Sequence, residues 1–398
     1  MRIEYLEIHN FKSLQNVVLK NIPGMAVFIG RNGVGKSALF DVFSFLQDSL
    51  FNDVSVALKS RGGFREVVSR GQNGDISFIL KFRPEKGAPL ISYELSIGLN
   101  DKQIPVVKTE IMRIRPGSKG KPWPALEFHD GKGWAAEGDL TDCQSAKEGK
   151  NRLLRALNSP RILAVKALGN MADFGVASKF CQRIEDWLVA DFHINDAREI
   201  TNVQLAKRLA KASHNLASVT HYTRHNQARH GPKIIEVMKQ YVPGIIDIQT
   251  IFTEDGRIAL KFIDNNFQEH FLSSYVSDGV IKIFTYLLLL YNPERRSWLG
   301  LIEPENQIYP KLLSLLVEEF RQYSVGEGQE KAGQVFISTH SPDLLDAVNL
   351  EELYFLVKDL DGYASVMRAA DNKQIKEFVE GGDLLGYLWN HSLLIEGV

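Results

Sequence analysis

Residues Gly30-Arg31-Asn32-Gly33-Val34-Gly35-Lys36-Ser37 restrict the fold more than any other stretch of the chain. This G-x-x-x-x-G-K-S pattern follows an unbroken apolar run, residues 25–29, read as a buried strand. It precedes Leu39, Val42, Phe43, Leu46 and Leu50, which recur at helical spacing. A glycine-rich turn between strand and helix lets backbone N–H groups converge on an anion, and the positive end of the helix points at the same place. Lys36 then reaches the β and γ phosphates of a nucleotide, and Ser37 offers its hydroxyl to Mg²⁺. The expected nucleotide contacts are Asn32, Gly33, Gly35, Lys36, Ser37 and Ala38, with Lys36 projecting into an open, solvent-filled loop.

The rest of the chain is organised around that loop. Alternating residues 3–9 and a short run at 17–19 open it with strands, and runs at 76–82, 91–99 and 106–114 read as an antiparallel sheet. Residues 119–138, rich in Gly, Pro and Trp, read as a long loop or hairpin. From about 146 to 241 the pattern turns helical, with three-to-four spacing at 151–157, 179–189 and 203–216. Without sustained heptads this stretch is too short for a long coiled-coil arm. After Pro243-Gly244 come strands at 245–252 and 257–263. Helix (280–291), strand (298–302), helix (311–322), strand (334–338), helix (343–348) and strand (354–358) then alternate, the signature of parallel strands. The expected division is an N-terminal lobe at 1–130, an inserted, mostly helical subdomain at 131–243 and a C-terminal lobe at 244–398.

Composition excludes several classes. Lys plus Arg number 47 against 48 Asp plus Glu, so any nucleic-acid contact must come from a local patch. Cys143 and Cys181 are the only cysteines, which fits a reducing cytoplasm, removes a Cys-based zinc site and reads most simply as two core thiols. The N-terminus lacks the apolar stretch of a signal peptide and reads as mature sequence. The longest apolar run, 283–291, is about half the ~20 residues a membrane span needs, so it reads as a buried helix and no membrane partner is expected.

Three C-terminal segments carry further chemistry: Ser277-Asp278-Gly279 before a helix, Leu299 to Asn306 with Glu303-Pro304-Glu305 ending an apolar strand, and Val335 to Pro342 with His340 ending another. Taken singly, these read as a helix N-cap, a solvated carboxylate and a core histidine. In order and character they resemble the signature, Walker B, D-loop and His-switch segments of ABC-type ATPase heads, the class that includes SMC and RecF proteins. Asn10-Phe11-Lys12-Ser13 resembles the N-F-K-S start of that class, and the set Arg61-Gly62-Gly63-Phe64, Ser277-Asp278-Gly279, Glu303-Pro304-Glu305-Asn306 and Leu385-Gly386-Tyr387-Leu388-Trp389 resembles more closely the stand-alone prokaryotic "predicted ATPase" family of RecF/SMC type, members of which are found in anti-phage defence. The resemblance covers both ends; residues 120–240 match no named family.

That resemblance implies an α/β fold: an ABC-type P-loop ATPase head with mixed sheet, antiparallel β subdomain and inserted helical subdomain. It implies ATP and Mg²⁺ as cofactors, Glu303 orienting and deprotonating the attacking water, and His340 contacting the γ-phosphate. Ser277 and Gly279 of one copy would close over the nucleotide of another, giving an ATP-dependent homodimer or larger homo-oligomer. The implied role is a cytoplasmic sensor or regulator of a defence module with a separate nuclease or toxin effector, since the chain ends at Val398 without room for an appended Toprim nuclease domain. A RecF-like DNA-repair ATPase and an idle nucleotide-binding scaffold are the other readings. One departure stands out: Ile302 occupies the place of the first Walker B acid, so Mg²⁺ would rely on Ser37, phosphates, waters and a polar residue such as Gln72, and hydrolysis is expected to be slow. Finally, residues 198–233 hold Arg198, Arg208, Arg224, Arg229 and Lys233 among other bases and one acid, Glu199. A phosphate-backbone contact, a solvated helical face and a docking surface for an acidic protein all fit this segment, whereas His221, His225 and His230 lack the companions of a metal site.

Overall fold

The computed structural model describes residues 1–85, 87–115, 120–138, 152–226, 230–267, 269–326 and 331–394. It divides the chain into two compact units, one built from residues 1–187 and 350–377, the other from 188–349 and 378–394.

In the first unit, period-two alternation yields an eight-stranded antiparallel sheet in the order Leu14–Lys20, Arg2–Phe11, Ile76–Arg83, Leu90–Leu99, Pro105–Arg115, Trp123–His129, Lys132–Ala136, Arg152–Ala156. Strand Ile76–Arg83 alternates strictly between buried and half-buried positions, so one face packs inward. Onto that face helix Lys36–Phe51 lays Phe45, which meets Phe11 and Phe78 with centroids 5.5 and 5.8 Å apart. The strand feeding the phosphate loop, Met25–Ile29, is buried at all five positions and pairs in parallel with Leu353–Lys358, which pairs antiparallel with Ala364–Arg368. A strand apolar on both faces is what a covered parallel pairing demands.

The second unit holds three parallel strands, Leu188–Ala190, Trp298–Ile302 and Gln334–Thr339, and a smaller antiparallel sheet of 245–252, 257–264, 201–202 and 271–272. Helix Asp278–Leu290 buries every residue from 281 to 290, the buried apolar helix expected there. No helix among the described residues is long and apolar enough to cross a membrane.

Two expected helices are absent. Residues 152–156, all good helix formers, instead make an edge strand on Lys132–Ala136; Leu154 is exposed, so no apolar stripe rewards a helix and the backbone ladder wins. Residues 203–215 are irregular, and the helix begins only at Leu216. There Asn215 accepts from the Ala210 amide and donates to the Arg208 carbonyl, a side-chain competition with helical bonding, while Val203 and Leu205 are left in solvent. Residues 179–189 split into helix Gly175–Glu185 and strand Leu188–Ala190. The stretch from 120 to 138 is a strand hairpin. Cys181 is buried, its thiol bonded to the Val165 carbonyl and pushed up to about 12 chiefly by burial. Cys143 lies outside the described residues.

Candidate nucleotide site

The loop at 30–35 is shaped by what a Cβ would meet. At Gly30 it would lie 2.5 Å from the Leu356 carbonyl oxygen, and at Gly35, where φ is +117°, 2.6 Å from Ser13 Oγ. Both positions need glycine for close packing, and Gly35 also for its left-handed backbone. Gly33 also has positive φ, +76°, but faces open space. Within the loop Val34 N bonds weakly to the Arg31 carbonyl, and among the described residues the amides of Asn32, Gly33 and Gly35 find no backbone acceptor. Free amides, open space and the start of helix Lys36–Phe51 fit a phosphate chain. Lys36 differs from expectation: it is 7% exposed, and its Nζ curls back onto the carbonyls of Gly30 and Arg31. Starting the helix at Lys36 itself places its long side chain over the loop that precedes it.

The Asn10–Ser13 and Arg61–Phe64 segments prove to brace this helix. Lys12 reaches Asp41 at 2.6 Å, and Arg61 clamps both Asp41 and Asp48 at 2.8 Å. Burial works against the Asp41 carboxylate, but hydrogen bonds from Arg61 and Lys12 outweigh it and hold the group below the usual carboxylate range. The Gln72 amide donates to the Tyr363 hydroxyl at 3.2 Å.

The second unit gathers polar groups where its parallel strands end. Glu303 adopts φ +43°, a left-handed backbone uncommon for a non-glycine residue and doubly so before proline. Its Oε1 lies 3.2 Å from His340 Nε2, and Asn306 donates to Oε2 at 3.0 Å. Glu305 accepts from Thr339 Oγ1 at 2.6 Å and from the His340 amide at 2.9 Å, pinning one strand end to the next. Strain held by such a network is characteristic of functional sites. Ser277 precedes helix Asp278–Leu290 without a side-chain capping bond, so the N-cap reading lacks its bond. Gly279 meets the Gln307 carbonyl, which a Cβ would approach to 2.8 Å.

Two residues escaped sequence reasoning. Lys282, 4% exposed, lies one turn beyond Gly279 in the charge range of Asp191, Glu305 and Glu303. Its signal was a lysine inside an apolar run. Asp191 follows Ala190, whose register partner is Leu301, so it ends its strand alongside Ile302; only strand pairing reveals that. In the basic segment several charges are spent internally: Arg198 on Asp278 at 2.7 Å, Arg224 on Asp247 at 2.6 Å, Arg208 on Glu294 at 3.8 Å. Arg229 lies outside the described residues. No group of three or more His, Cys, Asp or Glu among the described residues could hold a metal. Ser37, which follows Lys36 in the helix's first turn, offers a hydroxyl that would suit Mg²⁺ together with oxygens of the nucleotide and water.

Residues 25–346 match the sequence pattern of the family described as "AAA domain, putative AbiEii toxin, Type IV TA system", and the chain belongs to that family. Among solved structures, an SMC head bound to the C-terminal winged-helix domain of ScpA is similar at TM-score 0.53 and 11% identity, with 92% of this chain and 98% of that one covered. An SMC head from Thermotoga maritima matches at TM-score 0.45 and 12% identity, covering 92% and 99% of the two chains. No curated protein matches. The fold is that of an ABC-type, SMC-head-like P-loop ATPase.

Proposed function

We propose that the protein binds ATP on the loop at 30–37, hydrolyses it slowly with Glu303 as the water-activating base, and acts as the nucleotide-gated sensor or regulator of a prokaryotic anti-phage defence complex with a separate effector. The observation that carries the catalytic part is the strained Glu303, held between His340 and Asn306 at the end of a parallel strand. A carboxylate so fixed accepts a proton from water without reorganising, and His340 beside it supplies a donor toward phosphate oxygens. Lys36 and the loop amides carry the phosphates; Mg²⁺, with Ser37, neutralises their charge when bound. Ile302 offers no second carboxylate, which supports low turnover. Ser277, exposed ahead of its helix, and Gly279 support closure over the nucleotide of a second copy.

Membership of the AbiEii-type family supports the defence role. Single-turnover hydrolysis tests the chemistry: Glu303→Gln should lose about 10²–10⁴-fold, because the amide takes no proton, whereas Ile302→Asp should gain. Wild-type turnover surviving in Glu303→Gln would remove Glu303 from the base role. Mass measurement of the complex pulled down from its native operon should show a second protein; strong stimulation of phosphate release by DNA would instead favour the RecF-like reading.

A further inference from the structure

The segment Leu385-Gly386-Tyr387-Leu388-Trp389 opens helix Leu385–Asn390, which buries Leu385, Gly386 and Leu388. Leu384 ahead of it makes no side-chain capping bond, so the amides of the first turn need an acceptor from elsewhere. Asp346 supplies one: the Gly386 amide donates to its Oδ1 at 2.7 Å. A Cβ at Gly386 would lie 2.4 Å from the Pro342 carbonyl oxygen and 2.8 Å from Asp346 Oδ1, so only glycine admits this approach. Pro342 begins, and Asp346 ends, the short helix Pro342–Leu345 that follows His340. From that helix a run of hydrogen bonds leads to the strand end. The Leu344 amide donates to Ser341 Oγ at 3.2 Å, and the Ser341 amide to Thr339 Oγ1 at 3.0 Å. Thr339 Oγ1 donates in turn to Glu305 Oε1, the same oxygen that accepts from the His340 amide.

We propose that helix Leu385–Asn390 is a brace for the His340 strand end, with Asp346 and Gly386 as positioning residues that aim the His340 ring at Glu303. The strand ladder carries the chain only to Thr339, so strand pairing alone does not fix the direction in which His340 leaves it. Two contacts remove that freedom. Glu305 holds the His340 amide from one side, and the C-terminal helix holds Pro342 and Asp346 from the other. Neither Asp346 nor Gly386 is needed to touch the nucleotide; both act through the 3.2 Å contact between His340 Nε2 and Glu303 Oε1. The inference rests on His340 and Glu303 serving hydrolysis as proposed above.

The test uses the full chain and the variants Asp346→Ala, Asp346→Asn, Gly386→Ala and His340→Gln. Asp346→Ala removes the acceptor and should lower kcat by about 10- to 100-fold, with KM for ATP within about twofold because the loop at 30–37 is untouched. Asp346→Asn keeps an acceptor and should recover most of the loss. Gly386→Ala keeps both bonding groups but drives a methyl against the Pro342 carbonyl, and should resemble Asp346→Ala. NMR of the protein carrying isotope-labelled histidine reads the ring whether or not ATP is hydrolysed. The resonance lost in His340→Gln should move in Asp346→Ala and Gly386→Ala and stay in place in Asp346→Asn. A resonance unmoved in both of the first two, or moved as far in Asp346→Asn as in Asp346→Ala, overturns the proposal. So does wild-type kcat in Asp346→Ala when His340→Gln is slow. If His340→Gln keeps wild-type turnover while the resonance moves as expected, the catalytic reading of His340 fails and the brace stands.

Discussion

The phosphate loop and the carboxylate turn are two sites made in opposite ways. The loop is contiguous, eight residues whose shape follows from steric limits at Gly30 and Gly35 and from a helix that starts at Lys36. The turn is assembled from Glu303, Glu305 and His340, drawn from separate segments that meet because two parallel strands end side by side. A contiguous site depends on backbone conformation and is damaged by changes of shape. An assembled one depends on charge balance and is damaged by changes of sign.

That contrast can be broken at several points. Lys36→Ala should have the largest effect, weakening ATP binding by about 100-fold in calorimetry through loss of the phosphate contact. The same change also frees the carbonyls of Gly30 and Arg31, so a small fall in Tm should accompany it. Unaltered ATP affinity would show that the loop amides alone bind the phosphates.

A second carboxylate, Glu110 in the first unit, sharpens the comparison because it is sealed in rather than gathered at a strand end. It is fully buried and accepts from the amides of Ala164 and Val165 and from the Tyr93 hydroxyl. Burial raises it from 4.5 to about 7, against the pull of those three donors. Because the folded value lies above the unfolded one, the associated stability is complete below about 4.5 and is lost as pH rises through about 7. Glu110→Gln should abolish that slope, a difference on the order of 2–3 kcal/mol between pH 4.5 and 8, seen in Tm against pH. Parallel curves would mean that Glu110 stays ionised in the fold.

The loop glycines provide the finest division. Gly30→Ala drives a methyl against the Leu356 carbonyl and should destabilise by about 1–3 kcal/mol. Gly33→Ala meets nothing and should cost only the left-handed backbone, about 1 kcal/mol. Equal falls in Tm for the two would show that backbone strain, not packing, shapes the loop.

How much of this was legible follows from the same contrast. The phosphate loop, its flanking strand and helix, and the strand ends bearing Glu303 and His340 could be read because motif and periodicity are local properties. Residues 152–156 and 203–215 could not, because neither stretch buries an apolar stripe; a neighbouring strand settles the first and the Asn215 side chain the second. Lys36 was expected in a solvent-filled loop, whereas it is buried against the loop's own carbonyls, since nothing in the motif says which of them lie within its reach.

By itself, then, the order of residues determined where an anion would be gripped, because glycine spacing and a helix start are dictated by neighbours along the chain. Only tertiary structure decided which charges stand together. Asp191 comes alongside Ile302 through strand register, His340 comes against Glu303 where two parallel strands end together, and Arg198 and Arg224 are drawn to Asp278 and Asp247 instead of standing as unpaired bases. Electrostatic interaction depends on distance in space, and a chain states only distance along itself.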